Sequence, residues 1–286
     1  MNIQSLSIVV PAGCPNKCKF CVARMNHEDY VNQIEENMRF RDLYKRDYKD
    51  RLAFARDNGC NIMFTGNGEA LMNRRFMEMV TDLNEGLDKP FRILELQTSG
   101  VTLDDEALRW LRNTIKVSSL SLSSIFSSNK NQEYNVTPEK VKVDIEHLCS
   151  EIKRYDFNLR LSLNMTDEYN SMDIADIFKQ VKKLGADQVT FRKLYTSGND
   201  TPQDLWIKEH AVEESFWPRL NEYVLRNGRK LERLPFGAIR YSISEISAVV
   251  DDDCMSTETK EDIKYLVLRQ NCKLYTKWDD KGSLLF

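Results

Sequence analysis

The feature of this chain that most restricts its fold is a regular alternation of short apolar runs with longer amphipathic stretches. The apolar runs have the length and content of buried β-strands, at Leu6–Pro11, Asn61–Thr65, Arg92–Thr98, Val117–Ser123, Asn158–Asn164 and Gln188–Tyr195. The stretches between them have helical periodicity, which predicts helices at Tyr30–Asp57, Arg74–Glu85, Asp104–Asn113, Pro138–Tyr155 and Met172–Leu184. Strands that alternate with helices in this way pair in parallel through right-handed crossovers.

The number of these strand–helix units sets the architecture. Eight units close into a full barrel, which needs about 250 residues, but the alternation in this chain of 286 residues stops near residue 200. We therefore predict an α/β fold: a partial (β/α)6 TIM-like barrel over residues 1–204. A small α+β C-terminal extension over residues 205–286 would cap the barrel mouth, with strands at Ala238–Ile243, Ser247–Val250 and Ser283–Phe286 and a helix at Ser256–Leu268. Functional residues are expected at the carboxyl ends of the barrel strands.

Three cysteines follow the first predicted strand, in the segment Gly13-Cys14-Pro15-Asn16-Lys17-Cys18-Lys19-Phe20-Cys21. Thiolates are soft ligands that favour iron–sulfur clusters, zinc or Cu(I). Three cysteines without a fourth nearby leave one metal position open, as catalytic sites require. A zinc site that borrows a distant fourth ligand is the alternative, although the next cysteine, Cys60, follows a long predicted helix. The odd total of seven cysteines and the lack of a secretory leader pattern argue against a disulfide framework.

This Cys-x3-Cys-x2-Cys spacing, with the aromatic Phe20 before the last cysteine, resembles the radical S-adenosylmethionine (SAM) superfamily. The resemblance implies that Cys14, Cys18 and Cys21 hold three irons of a [4Fe–4S] cluster and that SAM chelates the fourth. It implies an enzyme in which the reduced cluster cleaves SAM to a 5′-deoxyadenosyl radical that abstracts hydrogen from a substrate. An external electron donor of the flavodoxin or ferredoxin type would reduce the cluster.

The loop after the second predicted strand, Phe64-Thr65-Gly66-Asn67-Gly68-Glu69-Ala70, contains two glycines that permit a close backbone approach to a ligand. It resembles the superfamily's Gly-Gly-Glu-Pro motif, with Asn67 in place of the first glycine and Ala70 in place of the proline. The resemblance implies that Gly66, Asn67, Gly68 and Glu69 contact the SAM amino group. An ordinary glycine turn is the alternative.

Polar residues end the next four predicted strands. Thr98 and Ser99 suit a ribose or carboxylate and resemble the family's Thr-Asn-Gly segment. Alternation places Ser119, Ser121 and Ser123 on one face of the fourth strand; the resemblance assigns a SAM contact to Ser121 or Ser123, and serines that only fill a narrow barrel are the alternative. The last two strands contribute Asn164 and Arg192. A charge inside a parallel strand is costly unless paired, so Arg192 binds a carboxylate of SAM or substrate, or forms a structural ion pair.

Composition and charge restrict the partners and the cellular location that we expect for the protein. The net charge of −3 gives no general electrostatic footprint for nucleic acid. No stretch approaches the roughly 20 apolar residues of a membrane span, and unpaired thiols fit a reducing cytoplasm, where we expect the protein. The substrate class stays open among a small molecule, a nucleoside and a peptide. The alternative function is a non-catalytic zinc-binding or partner-binding module on a barrel scaffold.

Two sets of residues in the C-terminal extension are of types that bind metals. Cys254 and Cys272 alone cannot supply the four thiolates of an auxiliary cluster, and free cysteines are commonly buried structural residues. Asp251–Asp253 would suit a divalent cation or form an exposed acidic turn.

Overall fold

The computed structural model describes residues 2–25, 45–234, 238–251, 262–278 and 284–285. The strands are β1 (Asn2–Val9), β2 (Asn61–Thr65), β3 (Leu94–Thr98), β4 (Ser119–Ser124), β5 (Asn158–Asn164), β6 (Gln188–Arg192), β7 (Arg229–Arg233), β8 (Ile239–Ile243), β9 (Ile246–Asp251), β10 (Asp262–Leu268) and β11 (Leu274–Tyr275). The α-helices are α1 (Val22–Met25), α2 (Lys45–Asp57), α3 (Arg74–Glu85), α4 (Asp105–Trp110), α5 (Ser128–Tyr134), α6 (Ile145–Arg154), α7 (Ile174–Lys183), α8 (Pro202–His210) and α9 (Phe216–Asn227). Short 3₁₀ turns cover Ala70–Asn73 and Asp167–Tyr169, and a π-helical turn over Leu111–Ile115 continues α4.

The strands of the described chain form one sheet in the order β11-β10-β1-β2-β3-β4-β5-β6-β9-β8-β7. From β10 to β9 in this order, each strand pairs in parallel with the next. The strands β11, β8 and β7 pair in the antiparallel sense. The sheet does not close, because β11 and β7 are its two edges, and this agrees with the predicted partial barrel.

The two faces of the sheet differ in polarity. Apolar side chains on one face pack against the helices and are fully buried, as Leu96, Leu120, Leu161 and Phe191 show. Alternate residues point to the other face, which is polar and faces the barrel interior. The amphipathic helices therefore cover one side of the sheet, and the polar side is left for a ligand.

Side-chain caps define where several helices begin. The side chain of Asn73 accepts from the Phe76 N–H at the start of α3 (3.1 Å), and that of Asp144 accepts from the His147 N–H at the start of α6 (2.9 Å). Such caps satisfy backbone donors that lack partners at a helix N-terminus. The helix predicted from Pro138 therefore begins only at Ile145.

Part of the C-terminal extension differs from the sequence prediction. The helix predicted over Ser256–Leu268 is wrong at its C-terminal half, because Asp262–Leu268 forms β10 and pairs in parallel with β1. Leu266, Val267 and Leu268 are each fully buried, which suits a strand covered on both faces. The predicted strands near residues 240 and 248 are confirmed as β8 and β9.

Some predicted segments lie outside the described residues. They include the first part of the helix predicted over Tyr30–Asp57 and residues 256–261. Of the strand predicted at Ser283–Phe286, only residues 284–285 are described, and Leu284 makes an isolated bridge with Tyr275. No helix among the described residues combines the length and hydropathy that a membrane crossing requires.

Candidate functional site

A cavity of about 1530 Å³ occupies the polar side of the sheet. Its lining includes the loop after β1, the loop after β2 and the carboxyl ends of β3 to β6. Every site residue predicted from the sequence lines it: Cys14, Cys18, Cys21, Gly66, Asn67, Gly68, Glu69, Thr98, Ser99, Ser121, Ser123, Asn164 and Arg192. The fold thus brings all the predicted residues to one cavity, while their individual roles stay predictions.

The cysteine loop runs from the end of β1 to α1 and is anchored by backbone hydrogen bonds. The Lys17 N–H donates to the Asn135 carbonyl at 2.9 Å, and the Lys19 N–H donates to the Tyr134 carbonyl at 2.8 Å. Both acceptors lie at the end of α5. The residues on either side of Cys18 are therefore held to a neighbouring helix.

The three thiols are close enough to affect one another electrostatically. Burial raises the pKa of Cys14, and negative charge on Glu69 and Cys21 raises it further. Burial also raises the pKa of Cys18, and charge on Cys21 and Cys14 adds to that. Because each thiolate disfavours the next, a cationic centre that all three contact would stabilise their ionised forms.

The chemistry of the three thiols fits an iron–sulfur cluster. Within the ranges that the structure describes, no three His, Cys, Asp or Glu side chains converge closely enough to hold one metal ion. Iron–sulfur clusters are held by cysteine thiolates, and in a cluster each thiolate binds a different iron. Three thiols of one loop that face one cavity match that requirement.

The loop after β2 packs tightly against the backbone of the cysteine loop. A Cβ atom added at Gly68 would lie 2.2 Å from the Ala12 carbonyl oxygen and 2.4 Å from that of Gly13, and one at Gly66 would lie 2.7 Å from the Val10 oxygen. Both positions require glycine, because those neighbours are backbone atoms. The two loops thus share one interface.

The Glu69 carboxylate is buried, with 3% of the residue exposed, and it is already hydrogen-bonded. It accepts from Thr98 Oγ1 at 2.6 Å, from Ser99 Oγ at 2.9 Å and from the Ser99 N–H at 3.2 Å. Burial raises the pKa of Glu69, while the hydrogen bonds from Thr98 and Ser99 lower it. The carboxylate therefore joins the β2 loop to the end of β3.

Polar side chains form successive layers across β3 to β6. At the carboxyl edge, Asn164 Nδ2 donates to Ser123 Oγ at 3.1 Å. Deeper in the barrel, Arg160 Nη1 pairs with Glu95 Oε1 at 2.8 Å. Burial raises the pKa of Glu95, and the Arg160 guanidinium lowers it. Ser121 is the Cα partner of Arg160 on β4 and is buried in this deeper layer, with 3% of the residue exposed.

The Glu95–Arg160 pair and the packing around Trp206 were not predicted from the sequence. The signal for the pair was two opposite charges at inward positions of the third and fifth predicted strands, which the fourth strand separates in the sheet. The Trp206 ring lies 5.9 Å from Phe20, 4.9 Å from Tyr134 and 4.6 Å from the imidazole of His210, measured between centroids. We call these four residues the Trp206 cluster; no local pattern predicted it, because it joins the cysteine loop to α5 and α8.

The carboxylate of Asp167 contacts two members of the Trp206 cluster. Tyr134 Oη donates to Asp167 Oδ1 at 3.1 Å, and His210 Nδ1 lies 3.0 Å from Asp167 Oδ2. Burial and the Asp167 charge raise the pKa of Tyr134 to about 12. The tyrosine hydroxyl is therefore a neutral donor.

The cysteines outside the loop give no sign of a second metal site among the described residues. Cys60, Cys149 and Cys272 are buried. Burial raises the pKa of Cys60 and of Cys149 to about 12, and that of Cys272 to about 11. These thiols behave as core residues. Cys254 and residues 252–253 lie outside the described residues, so the cation site predicted there stays a prediction.

Comparison with known proteins agrees with this fold. Residues 8–142 match the family model described as the Radical SAM superfamily. SuiB from Streptococcus suis bound to S-adenosylmethionine superposes with a TM-score of 0.55 at 13% identity, over 96% of this chain and 60% of that chain. SuiB bound to the precursor peptide SuiA gives 0.56 at 14% identity, over 96% and 59%. The protein anSMEcpe with bound AdoMet gives 0.60 at 16% identity, over 99% and 77%.

At these identities the solved structures establish the fold. This chain spans about 60% of the length of SuiB, and no curated protein matches it by sequence. Residues 8–142 are thus similar to the Radical SAM superfamily in sequence, and the chain shares its fold with the solved structures. The cofactors of this family are a [4Fe–4S] cluster and SAM.

Proposed function

We propose that this protein is a radical SAM enzyme that uses a [4Fe–4S] cluster to cleave SAM and abstract hydrogen from a substrate. The observation that supports this most directly is the shared cavity. The three thiols of one loop, the glycine loop after β2 and the polar ends of β3 to β6 all line it. A zinc-binding module would need neither the glycine loop nor the polar strand ends.

Each group of residues has a distinct task in this proposal. Cys14, Cys18 and Cys21 each hold one iron, which leaves the fourth iron for SAM. Backbone carbonyls of Gly66, Asn67 and Gly68 accept from the SAM ammonium. When bound, the reduced cluster and SAM supply, by one-electron cleavage of a C–S bond, methionine and a 5′-deoxyadenosyl radical that takes a hydrogen atom from a substrate carbon.

The strand ends complete the binding site. Thr98 and Ser99 at the end of β3, with Ser121 and Ser123 on β4, approach the carboxylate or ribose of SAM. Glu69 positions Thr98 and Ser99 through its three hydrogen bonds. Asn164 and Arg192 face the same cavity from β5 and β6.

The size of the cavity supports a second ligand. Its volume of about 1530 Å³ exceeds the roughly 300–1,000 Å³ of an ordinary small-molecule site. In this proposal SAM and a substrate occupy the cavity together, and the substrate is a small molecule, a nucleoside or a peptide. Residues 205–286 shape the barrel mouth in this proposal, and a flavodoxin-type or ferredoxin-type donor supplies the electron.

The proposal is tested by anaerobic reconstitution with iron and sulfide. We expect iron–sulfur absorbance, and 5′-deoxyadenosine and methionine when SAM and dithionite are added. Cys14→Ser should abolish both, whereas Cys149→Ala, which removes a buried thiol of α6 far along the chain from the loop, should retain both. A colourless wild-type protein that binds one zinc and leaves SAM intact would establish the zinc-module alternative instead.

A further inference from the structure

Arg192 occupies a distinctive place at the carboxyl edge of the sheet. It is the last residue of β6, and its Cα partners are Asn164 on β5 and Asp251 on β9. Arg192 and Asn164 both line the cavity. The guanidinium therefore belongs to the layer that also contains the Ser123–Asn164 hydrogen bond.

Arg192 differs from the two other strand arginines that line the cavity. Arg160 pairs with Glu95 at 2.8 Å, and Arg240 pairs with Glu232 at 2.5 Å. The Nε atom of Arg192 is buried and has no hydrogen-bond partner among the described residues. A buried donor without an acceptor is unfavourable and needs an explanation, and a bound acceptor would supply it.

We propose that Arg192 binds an anionic group of the substrate, either a carboxylate or a phosphate. A guanidinium matches both anions through two parallel N–H···O hydrogen bonds. This assignment rests on the proposed function, because it defines a substrate site in the same cavity. In the sheet order, β6 is four strands from β2 and three from β3, whose loops hold the amino-acid end of SAM in that proposal.

The competing explanation is a structural ion pair with Asp251, the Cα partner of Arg192 on β9. A structural pair and an anion site make opposite predictions for added anions. An ion pair shields the guanidinium from reagents in the cavity at all times. An anion site leaves the guanidinium reactive until the anion binds.

The test applies phenylglyoxal, which condenses with free guanidinium groups, to the reconstituted full chain saturated with SAM. Peptide mass spectrometry then gives the rate of modification at each arginine. We expect inorganic phosphate or succinate to slow modification of Arg192 saturably and to leave the rates at Arg160 and Arg240 unchanged. The more effective of the two anions identifies the substrate group as phosphate or carboxylate.

Substitutions test the same site by equilibrium binding of the more effective anion. Arg192→Gln should weaken that binding about tenfold or more, Arg192→Lys by less because the charge is kept, and Arg240→Gln by less than about twofold. Absence of protection by both anions, equal protection at all three arginines, or wild-type affinity in Arg192→Gln would overturn the proposal. So would an Arg192 that reacts only in Asp251→Asn, since that result establishes the structural pair.

Failure of this inference is distinguishable from failure of the proposed function. Formation of 5′-deoxyadenosine by the wild-type protein, measured without either anion, tests the radical chemistry alone. Protection of Arg192 is measured without turnover and tests the anion site alone.

Discussion

The Glu69 N–H donates a hydrogen bond to the carbonyl oxygen of Gly13 at 2.9 Å. This contact joins the loop after β2 to the residue that immediately precedes Cys14. The two loops are the proposed sites for the SAM amino group and for the cluster. Their relative position is therefore set by the backbone itself, before any cofactor binds.

The first prediction concerns Gly68, which packs at this contact. Gly68→Ala forces a Cβ atom to within 2.2 Å of the Ala12 oxygen, so one of the two loops must move. We expect near-native secondary structure, a lower iron content after reconstitution and about 100-fold slower 5′-deoxyadenosine formation, because small misplacements near reacting groups are costly. Gly86→Ala is the matched control, since its nearest contact would be 3.5 Å away. Wild-type iron content and rate in Gly68→Ala would contradict the prediction.

The second prediction concerns the Glu69 carboxylate. Glu69→Gln replaces one acceptor oxygen by an NH₂ group that faces the donors of Thr98 and Ser99. We expect a loss of about 1–3 kcal/mol in the free energy of unfolding and weaker SAM binding, measured by denaturant titration and equilibrium dialysis. Glu106→Gln removes an exposed carboxylate, paired with Arg74 at the surface, and should change stability by less than about 0.5 kcal/mol. Equal effects of the two substitutions would show that the buried network has no special role.

Local sequence patterns were sufficient to predict most of the strands and helices of the barrel. The strand at Asn61–Thr65, the helix at Arg74–Glu85 and the strand at Asn158–Asn164 agree with the prediction to the residue. Each of these segments contains an uninterrupted apolar or amphipathic pattern, and a turn or capping residue lies close to its end. The candidate site was predictable for a related reason: the carboxyl ends of neighbouring parallel strands meet at one edge.

Long-range pairing explains what the sequence did not reveal. The segment at Asp262–Leu268 follows polar residues that resemble a helix start, but it becomes a strand because β1 offers a parallel edge more than 200 residues earlier in the chain. Likewise, Thr137-Pro138 has the form of a helix start, yet Asp144 caps α6. The packing of Phe20 on Trp206 depends on two segments whose proximity no local period encodes.

The third prediction is a pH dependence of stability at Asp204, a buried residue of α8. Burial raises the pKa of Asp204, but hydrogen bonds from Ser197 and Thr201 outweigh it and hold the pKa far below its usual value. Because the folded pKa lies below the unfolded one, the stabilisation is complete above about pH 4 and is lost as the pH falls toward the folded pKa.

Asp204→Asn should therefore cost about 1–3 kcal/mol at neutral pH, and the difference from wild type should shrink below about pH 4. Urea titrations over a pH series measure both. Asp200→Asn is the matched control, because Asp200 is exposed and pairs with Lys208 at the surface. A difference that is independent of pH would mean that the charge of Asp204 is not responsible.

The last prediction concerns Trp206, whose ring contacts Phe20 of the cysteine loop. Trp206→Ala removes the central ring of the Trp206 cluster and leaves a void between α8 and that loop. Truncation of a buried tryptophan lowers the free energy of unfolding by about 3–5 kcal/mol. Because Trp206 is only partly buried, we expect a decrease of about 3 kcal/mol or less. We also expect faster bleaching of the reconstituted cluster in air, because the loop loses its aromatic cover. Leu205→Ala is the control, since Leu205 precedes Trp206 on the same helix and is 51% exposed. If both variants bleach at the wild-type rate, the Trp206 cluster stabilises α8 alone and does not protect the cysteine loop.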